Sequence, residues 1–581
     1  MINDKLKGFI APIDPEAKNF VDTLSRYVPL YEDHENATLS SADMLQKKRA
    51  ADTYRYSELK DKHIDGFPLC VKRDEAGELN VTFTENTHSL IVGATRSGKS
   101  TGFVIPFLNL MPLKKNKPSI VVSDPKGELY RGTHKTFEEN GYRIIVLDFI
   151  DYQHSDSWNP LTKTFRKYQR SLAIEKEVKA IKQNGEYYHV LDGEIFRDEK
   201  ELQDVLAEKR DAILTEVDND IISLATMISP VTKDSDPYWE EMSATLIQGF
   251  LWALLEDSDP NADLNGRTLV TEDTYSFETI GTLFSAFNST GSELDDHGFF
   301  INRPKTSKAR RLVETSIIKL SANVTRSCIV SSFLNKMRPY RDACVSRITC
   351  TNTFSIPEIA TDEKPTVIFV SYKDEDSLNY QVISMFFTDL YLGLIETARK
   401  VGGRLERPFY FLLDEFGNFP KFSSFENVIS ACGSRNLWFM LVVQSYAQLY
   451  RIYGEETAEI IIDNLNMHLY FGSNNYKTKE AFSKECGRHT VPSPQSALNG
   501  SSDQIENFQS DEVPLVPISR LSQLGIGEFY VTQMRGDTIL SYSERSYLCP
   551  EYDQGDKATY RRSPVRFADK RYRYDLEWCY K

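Results

Sequence analysis

Short, unbroken apolar runs recur along this chain, separated by longer stretches with helical spacing. Ser89-Leu90-Ile91-Val92, Ser119–Ser123, Tyr142–Phe149, Thr366–Val370, Phe409–Leu413, Leu437–Val443 and His468–Phe471 each read as a strand buried on both faces. Between them, apolar residues return every three or four positions. They do so after Ser100 through Phe107 and Leu110, from near Gly127 to about Asn140, from about Ser377 to Lys400, and near Phe425–Cys432. The alternation predicts an α/β fold in which helices cover both faces of a parallel sheet. Phe67–Arg73 and Glu78–Phe83, joined by the turn sequence Asp74-Glu75-Ala76-Gly77, predict a hairpin leading into the first run. Glu528–Gln533 and Thr538–Tyr542 read as a closing strand pair, and residues 492–514 as a polar surface loop.

From about Leu161 to Asn335 the strand pattern stops. Ile174–Ile181 and Glu199–Ile222 are highly charged and helix-favouring, and Trp239–Leu255 carries an apolar stripe through Leu246, Phe250 and Leu254. This region reads as a helical domain inserted into the α/β one. The expected layout is a helical or mixed segment over 1–60, a nucleotide-binding domain split between 61–164 and 336–548, an all-α insertion over 165–335, and a basic, aromatic tail over 549–581.

Composition adds bounds. At 581 residues the chain exceeds a single core. Its net charge of −15 leaves any nucleic-acid contact to local basic patches. The eight cysteines are scattered without zinc spacing, which fits a reducing compartment. The N-terminus starts no signal peptide, and the most apolar stretch, Ile383 to Ile395, is about half a membrane span and contains Asp389. A cytoplasmic protein, at most peripheral to a membrane, is expected.

The chemistry sits at the ends of the apolar runs. Gly93-Ala94-Thr95-Arg96-Ser97-Gly98-Lys99-Ser100, followed by Thr101, matches the phosphate-binding loop GxxxxGK[ST], with a strand before it and a helix after it. Glycines let the backbone wrap a phosphate, and the helix aims unpaired N–H groups at it. Lys99 is expected to reach the β- and γ-phosphates of ATP, and Ser100 to ligate Mg²⁺. The run Phe409–Leu413 ends in Asp414-Glu415, an acid for Mg²⁺ and a general base for water. Lys99 and Asp414 lie further apart than a compact nucleotide domain needs, and the helical insertion accounts for the gap. Gln444 ends the next strand. In RecA-like ATPases that strand lies between the phosphate-loop strand and the acidic one, so Gln444 is expected to meet the γ-phosphate and sense hydrolysis.

With these motifs in this order, the chain resembles the type IV coupling proteins, the hexameric ATPases of conjugation and type IV secretion. The resemblance runs from about Ala50 to Tyr542. It takes in Gly93–Thr101, Ser123-Asp124-Pro125-Lys126-Gly127-Glu128-Leu129-Tyr130 and Trp158-Asn159-Pro160-Leu161. It continues through Asp236-Pro237-Tyr238-Trp239, Leu412–Gly417 and Gln444-Ser445-Tyr446-Ala447-Gln448-Leu449. Asp124-Pro125-Lys126-Gly127-Glu128 is the most discriminating element. The resemblance implies a RecA-like P-loop domain interrupted by an all-α domain and assembled as a ring around a channel. It also implies a relaxase–single-stranded DNA substrate, and the membrane components and ATPases of a type IV secretion channel as partners.

Most members begin with transmembrane helices, and no such helix is expected in this sequence. It is similar to soluble Gram-positive variants, which implies docking on a separate membrane anchor protein, and a monomer in isolation. Asp124 is expected either to join the cofactor-binding set or simply to start a turn, and Arg435 is the candidate acting across a subunit boundary. The tail Lys557–Lys581, with Arg561, Arg562, Arg566, Tyr560, Phe567 and Trp578, suits single-stranded DNA, an acidic partner or a fold-back core contact. Two other readings stay open from the residues: another hexameric DNA translocase or helicase, and a nucleotide-gated receptor with little hydrolysis.

Overall fold

The computed structural model describes residues 55–551 apart from 60–65, 184–185, 232–235, 265–266, 290–297, 321–322, 374–378, 420, 423–424, 493–509, 535 and 537. The segment expected over 1–60 and the tail expected over 549–581 lie almost wholly outside the described residues, as does most of the 492–514 loop. Its ends, Pro492 and Ser510–Pro514, are not loop: Ser510–Pro514 pairs antiparallel with the strand Arg488–Pro492. No helix among the described residues is long and apolar enough to cross a membrane.

The chain divides into two compact units. One takes the described residues up to 146 with 356–375 and 390–551; the other takes 147–355 and 376–389.

The first unit is built on a nine-stranded sheet. Its strands are β1 (Ser89–Gly93), β2 (Ser119–Asp124), β3 (Arg143–Asp148), β4 (Thr366–Ser371), β5 (Phe409–Leu413), β6 (Leu437–Val443), β7 (Met467–Gly472), β8 (Glu528–Gln533) and β9 (Ile539–Tyr542). Their order across the sheet is β9-β8-β7-β1-β6-β5-β2-β4-β3. From β7 to β4 neighbouring strands run parallel, as crossover helices require, whereas β8 and β9 close the edge antiparallel. Every residue of β1, β2, β4 and β5 is buried, because helices cover both faces, and this is why these strands read as continuous apolar runs. On one face, Phe103, Phe107 and Leu108 from the helix after the phosphate loop pack into the same core as Ile91, Ile120, Val122, Leu412, Met440 and Val442. Each such side chain contributes roughly 1.5–3 kcal/mol on burial. The expected hairpin is present as Phe67–Arg73 paired with Leu79–Thr84, and Arg55–Glu58 adds a third strand.

The second unit is mostly helical. Its long elements are Thr162–Leu172, Glu199–Ile228, Pro237–Glu256 and Asn323–Met337. The predicted stripe of Leu246, Phe250 and Leu254 is fully buried, and Phe250 stacks on Phe333, meets Phe284 and Phe300 edge-on and lies tilted against Phe299. Asp236 caps Pro237–Glu256 by accepting from the Tyr238 N–H at 3.0 Å. One expectation fails here. Only the start of Ile174–Ile181 is helical, as the 3-10 turn Ile174–Glu177; Lys179–Gln183, Glu186–Leu191 and Glu194–Phe196 form a three-stranded antiparallel meander, in an insertion expected to be all-α. The cause is local. Asp192 and Gly193 both take positive φ, 49° and 87°, as a two-residue type I′ hairpin turn demands. An Asp-Gly pair between Leu191 and Glu194 was the signal that the charge of the region concealed.

Candidate functional site

Strands β1, β6, β5 and β2 lie side by side and parallel, so their carboxyl ends open at one edge of the sheet, where ligands bind in such folds. Strand β6 sits between β1 and β5, the arrangement the position of Gln444 required. That edge receives the phosphate loop after β1, Gln444 after β6, Asp414-Glu415 after β5, and Asp124 at the end of β2.

The phosphate loop is held on both sides. The Ala94 N–H donates to the Gly472 carbonyl at 2.8 Å, and the Ser97 N–H to the Ala94 carbonyl at 3.0 Å. Arg96 takes the left-handed region at φ 67°, rare for a residue with a side chain. A Cβ at Gly93 would stand 2.6 Å from Ser97 Oγ and 3.2 Å from Lys99 Cβ, so any larger residue there has to displace the Ser97 hydroxyl. Lys99 begins the helix, Ser100 opens its first turn (Ser100–Val104), and the Thr101 hydroxyl lies 3.5 Å from the Gly98 carbonyl.

Lys99, Glu415 and Gln444 meet. Lys99 Nζ is 3.6 Å from Glu415 Oε1, and Gln444 Nε2 donates to Glu415 Oε2 at 3.2 Å, so each oxygen of the predicted base is engaged. Glu415 itself takes the left-handed region at φ 52°, which aims its side chain differently from an extended continuation of β5.

Asp414 is the unusual group. Its carboxylate is buried, and Oδ1 has no hydrogen-bond partner. Burial pushes its pKa up to about 6; Lys99 pulls it down and Glu415 pushes it up further. Ser97 Oγ is likewise buried without a partner. Buried polar atoms are normally paired, so two orphans beside one phosphate loop mark a place where a ligand belongs. The Ser100 hydroxyl and the Asp414 carboxylate are hard oxygen donors of the kind Mg²⁺ takes, and the orphaned Oδ1 fits that assignment.

Asp124 spends its carboxylate elsewhere. Its two oxygens accept from the Leu129 and Tyr130 N–H groups at 3.3 and 2.8 Å, capping the helix Glu128–Glu139, and burial raises its pKa to about 7. Of the two roles left open for it, turn and cap is the one the geometry displays. Arg435 does not join the constellation. It precedes β6 at the opposite edge of the sheet from Gln444, and its guanidinium donates to the Ala431 carbonyl at 2.7 Å and to Ser434 Oγ at 3.2 Å. At that position it makes no contact with Lys99, Glu415 or Gln444 of its own chain, and its observed bonds are to its own loop.

Supporting residues emerge that carried no role in the sequence reading. The Ser123 hydroxyl, bonded to Tyr372 at 2.9 Å, donates to the Asp414 carbonyl at 3.2 Å. Ser473 Oγ donates to the Gln444 carbonyl at 3.3 Å, and Gln448 Oε1 accepts from the Gln444 N–H at 2.7 Å. The pattern Ser445-Tyr446-Ala447-Gln448 was a legible sign of the last of these, since S-x-x-Q is a helix-start signature.

Known proteins share this architecture. A family described as type IV secretory system conjugative DNA transfer matches residues 34–525. Protein VirD4 of Agrobacterium fabrum is 21% identical over 500 residues, covering 84% of this chain and 62% of that protein. The conjugal transfer protein TraG of Escherichia coli is 23% identical over 428 residues, covering 71% of this chain and 57% of that one. The chain thus spans about half to three-fifths of the length of the curated relatives it matches. Among solved structures, the bacterial conjugative coupling protein TrwBdeltaN70 aligns with a TM-score of 0.53 at 16% identity, over 84% of this chain and 93% of that one. TrwB in complex with ADP and Mg²⁺ aligns with a TM-score of 0.50 at 16% identity, over 79% and 85%. At such identities the likeness is one of fold.

Proposed function

The chain belongs to the type IV secretory system conjugative DNA transfer family, and from that premise we propose that it is the coupling ATPase of a conjugative system. In this reading it receives a relaxase–single-stranded DNA substrate and passes it to the transfer channel. The observation that carries the reading is the meeting of Lys99, Glu415 and Gln444 beside the orphaned carboxylate of Asp414. A phosphate loop alone binds nucleotide; a base, a sensor and an unsatisfied acid around it supply what hydrolysis needs.

In this mechanism the loop Gly93–Thr101 cradles the phosphates and Lys99 neutralises charge on the β- and γ-oxygens. Ser100 and Asp414 would hold Mg²⁺, which supplies further neutralisation of the phosphates. In the nucleotide-free chain Lys99 and Gln444 hold the two oxygens of Glu415. A γ-phosphate competes for the Lys99 ammonium and the Gln444 amide, releasing the carboxylate to orient a water and take its proton. Gln444, exchanging Glu415 for the phosphate, reports the state of the site through β6.

The working form in this reading is a ring, with Arg435 facing a neighbouring subunit. Relatives named for conjugal transfer and coupling support the cargo assignment. The test is ATP hydrolysis by the purified chain with and without single-stranded DNA. Glu415→Gln is expected to lower turnover by about 10²–10⁴-fold while nucleotide still binds, and Lys99→Ala to weaken binding itself. Absence of turnover in the wild type at every oligomeric state overturns the motor reading. Strand displacement without relaxase favours a helicase instead.

A further inference from the structure

We infer that Gln448 is a positioning residue for hydrolysis, fixing Gln444 and Glu415 relative to each other; the inference rests on the roles proposed above for those two. Gln448 lies in the helix Tyr446–Tyr453, which starts directly after the sensor strand β6. Ser445 is the N-cap of that helix, and its own side chain makes no capping bond. In an ordinary capping box the glutamine three positions on reaches back to the N-cap amide. Here Gln448 Oε1 reaches one residue further and accepts from the Gln444 N–H at 2.7 Å. That N–H lies one residue beyond the end of β6, so the glutamine side chain does for it what a neighbouring strand does for the residues before it.

The same side chain touches the loop that carries the base. A methyl group at Gly417, two residues after Glu415, would overlap the Gln448 amide, so the loop and the glutamine are in direct contact. One helical turn on, Arg451 Nη2 donates to the Gly417 carbonyl at 2.8 Å. At the end of the helix the Tyr453 ring stacks on Phe416, with centroids 6.2 Å apart. One short helix therefore grips the Glu415 loop at three points and the sensor at a fourth. Glu415 needs such support because its left-handed backbone is not a conformation it holds unaided. The Gln444–Glu415 hydrogen bond at 3.2 Å is the contact this clamp sets, and it is the contact a γ-phosphate must exchange.

The experiment compares the full-length wild type with Gln448→Leu, Gln448→Glu and Gly417→Ala. Steady-state ATP hydrolysis, equilibrium binding of ADP, thermal melting and hydrogen exchange at the Gln444 amide are measured on each. Misplacing a reacting group by about 1 Å can lower a rate by about 10²-fold, so Gln448→Leu is expected to lower kcat by about 10–100-fold, with KM and ADP affinity within about twofold. Gln448→Glu keeps an oxygen that accepts the same N–H and is expected to return to within about threefold of wild type. Gly417→Ala, whose backbone lies outside the left-handed region, is expected to reproduce the leucine variant.

Exchange at Gln444 is expected to rise in Gln448→Leu and Gly417→Ala but not in Gln448→Glu. Wild-type turnover in Gln448→Leu overturns the inference. So does a loss equal in the leucine and glutamate variants that tracks their melting. A wild type that hydrolyses no ATP overturns the motor reading and the catalytic consequence of the clamp together. Exchange at Gln444 then still decides whether the clamp exists.

Discussion

Two buried aspartates, one in each unit, show opposite ways of keeping a charge out of water. Asp257, at the end of the helix Pro237–Glu256, is 1% exposed at its side chain. Both its oxygens are taken: Arg267 Nε and Arg303 Nη1 donate to Oδ1 at 2.9 Å each, and Arg303 Nη2 to Oδ2 at 2.6 Å. Next to it, Glu256 accepts from the Lys308 and Ala309 N–H groups at 2.7 and 3.2 Å and from Ser307 Oγ at 2.7 Å. That cluster is closed and has nothing left to bind. Asp414 is also buried, yet Oδ1 has no hydrogen-bond partner, and burial raises its pKa to about 6. The difference separates architecture from site: a charge whose oxygens are both taken holds a fold together, and a charge with one oxygen left open is held ready for a ligand.

The largest expected effect breaks the closed cluster. Asp257→Ala removes the carboxylate that Arg303 and Arg267 share, leaving Arg303 the Glu256 carboxylate and the Phe299 carbonyl and Arg267 the Asp263 carbonyl, and is expected to cost about 3–5 kcal/mol in denaturant-induced unfolding. A loss below about 1 kcal/mol would place Asp257 in the same class as Asp414.

Asp414→Asn sharpens the comparison from the other side, with a pH signature. A carboxyl whose pKa is raised in the folded state, from 3.8 to about 6 for Asp414 and to about 7 for Asp124, contributes its full stability below the unfolded value. That contribution is lost as pH rises through the folded value. The nucleotide-free protein is therefore expected to lose stability between about pH 4 and pH 7 from these two groups. Asp414→Asn is expected to gain roughly 3 kcal/mol at pH 8 and to flatten that slope, at the expense of Mg²⁺-dependent turnover. Unfolding midpoints across pH, with and without Mg-ATP, read both effects.

The smallest pair compares two serines. Ser123, whose hydroxyl donates to the Asp414 carbonyl, is expected to cost about 1 kcal/mol as Ser123→Ala. Ser97, with its hydroxyl orphaned, is expected to cost nothing or gain up to about 1 kcal/mol as Ser97→Ala. Chemical denaturation of the two variants side by side checks the sign.

Much of this molecule was legible because its strands are buried on both faces. Ser119–Asp124, Phe409–Leu413 and Leu437–Val443 could be read as strands because each holds an unbroken apolar run, Ile120–Val122 in the first. Lys99, Asp414, Glu415 and Gln444 stand at the ends of such runs, where a parallel sheet collects loops along one edge. The meander over Lys179–Phe196 was not legible by the same rule, because it is largely exposed and its charges resemble those of a solvated helix. Its turn signal, Asp192-Gly193, needed the alternation on either side to be weighed against that charge.

What the sequence determined by itself is the list of chemical parts and the strand ends that carry them, since periodicity and spacing are local properties. The tertiary structure decided which parts are spent and which are open. It turned Asp124 into a helix cap, left Arg435 at the far edge of the sheet, and brought Gln448 onto both Gln444 and Gly417. Those outcomes depend on contacts between residues distant along the chain, and a hydrogen-bond partner supplied by another loop leaves no mark in the local pattern of either.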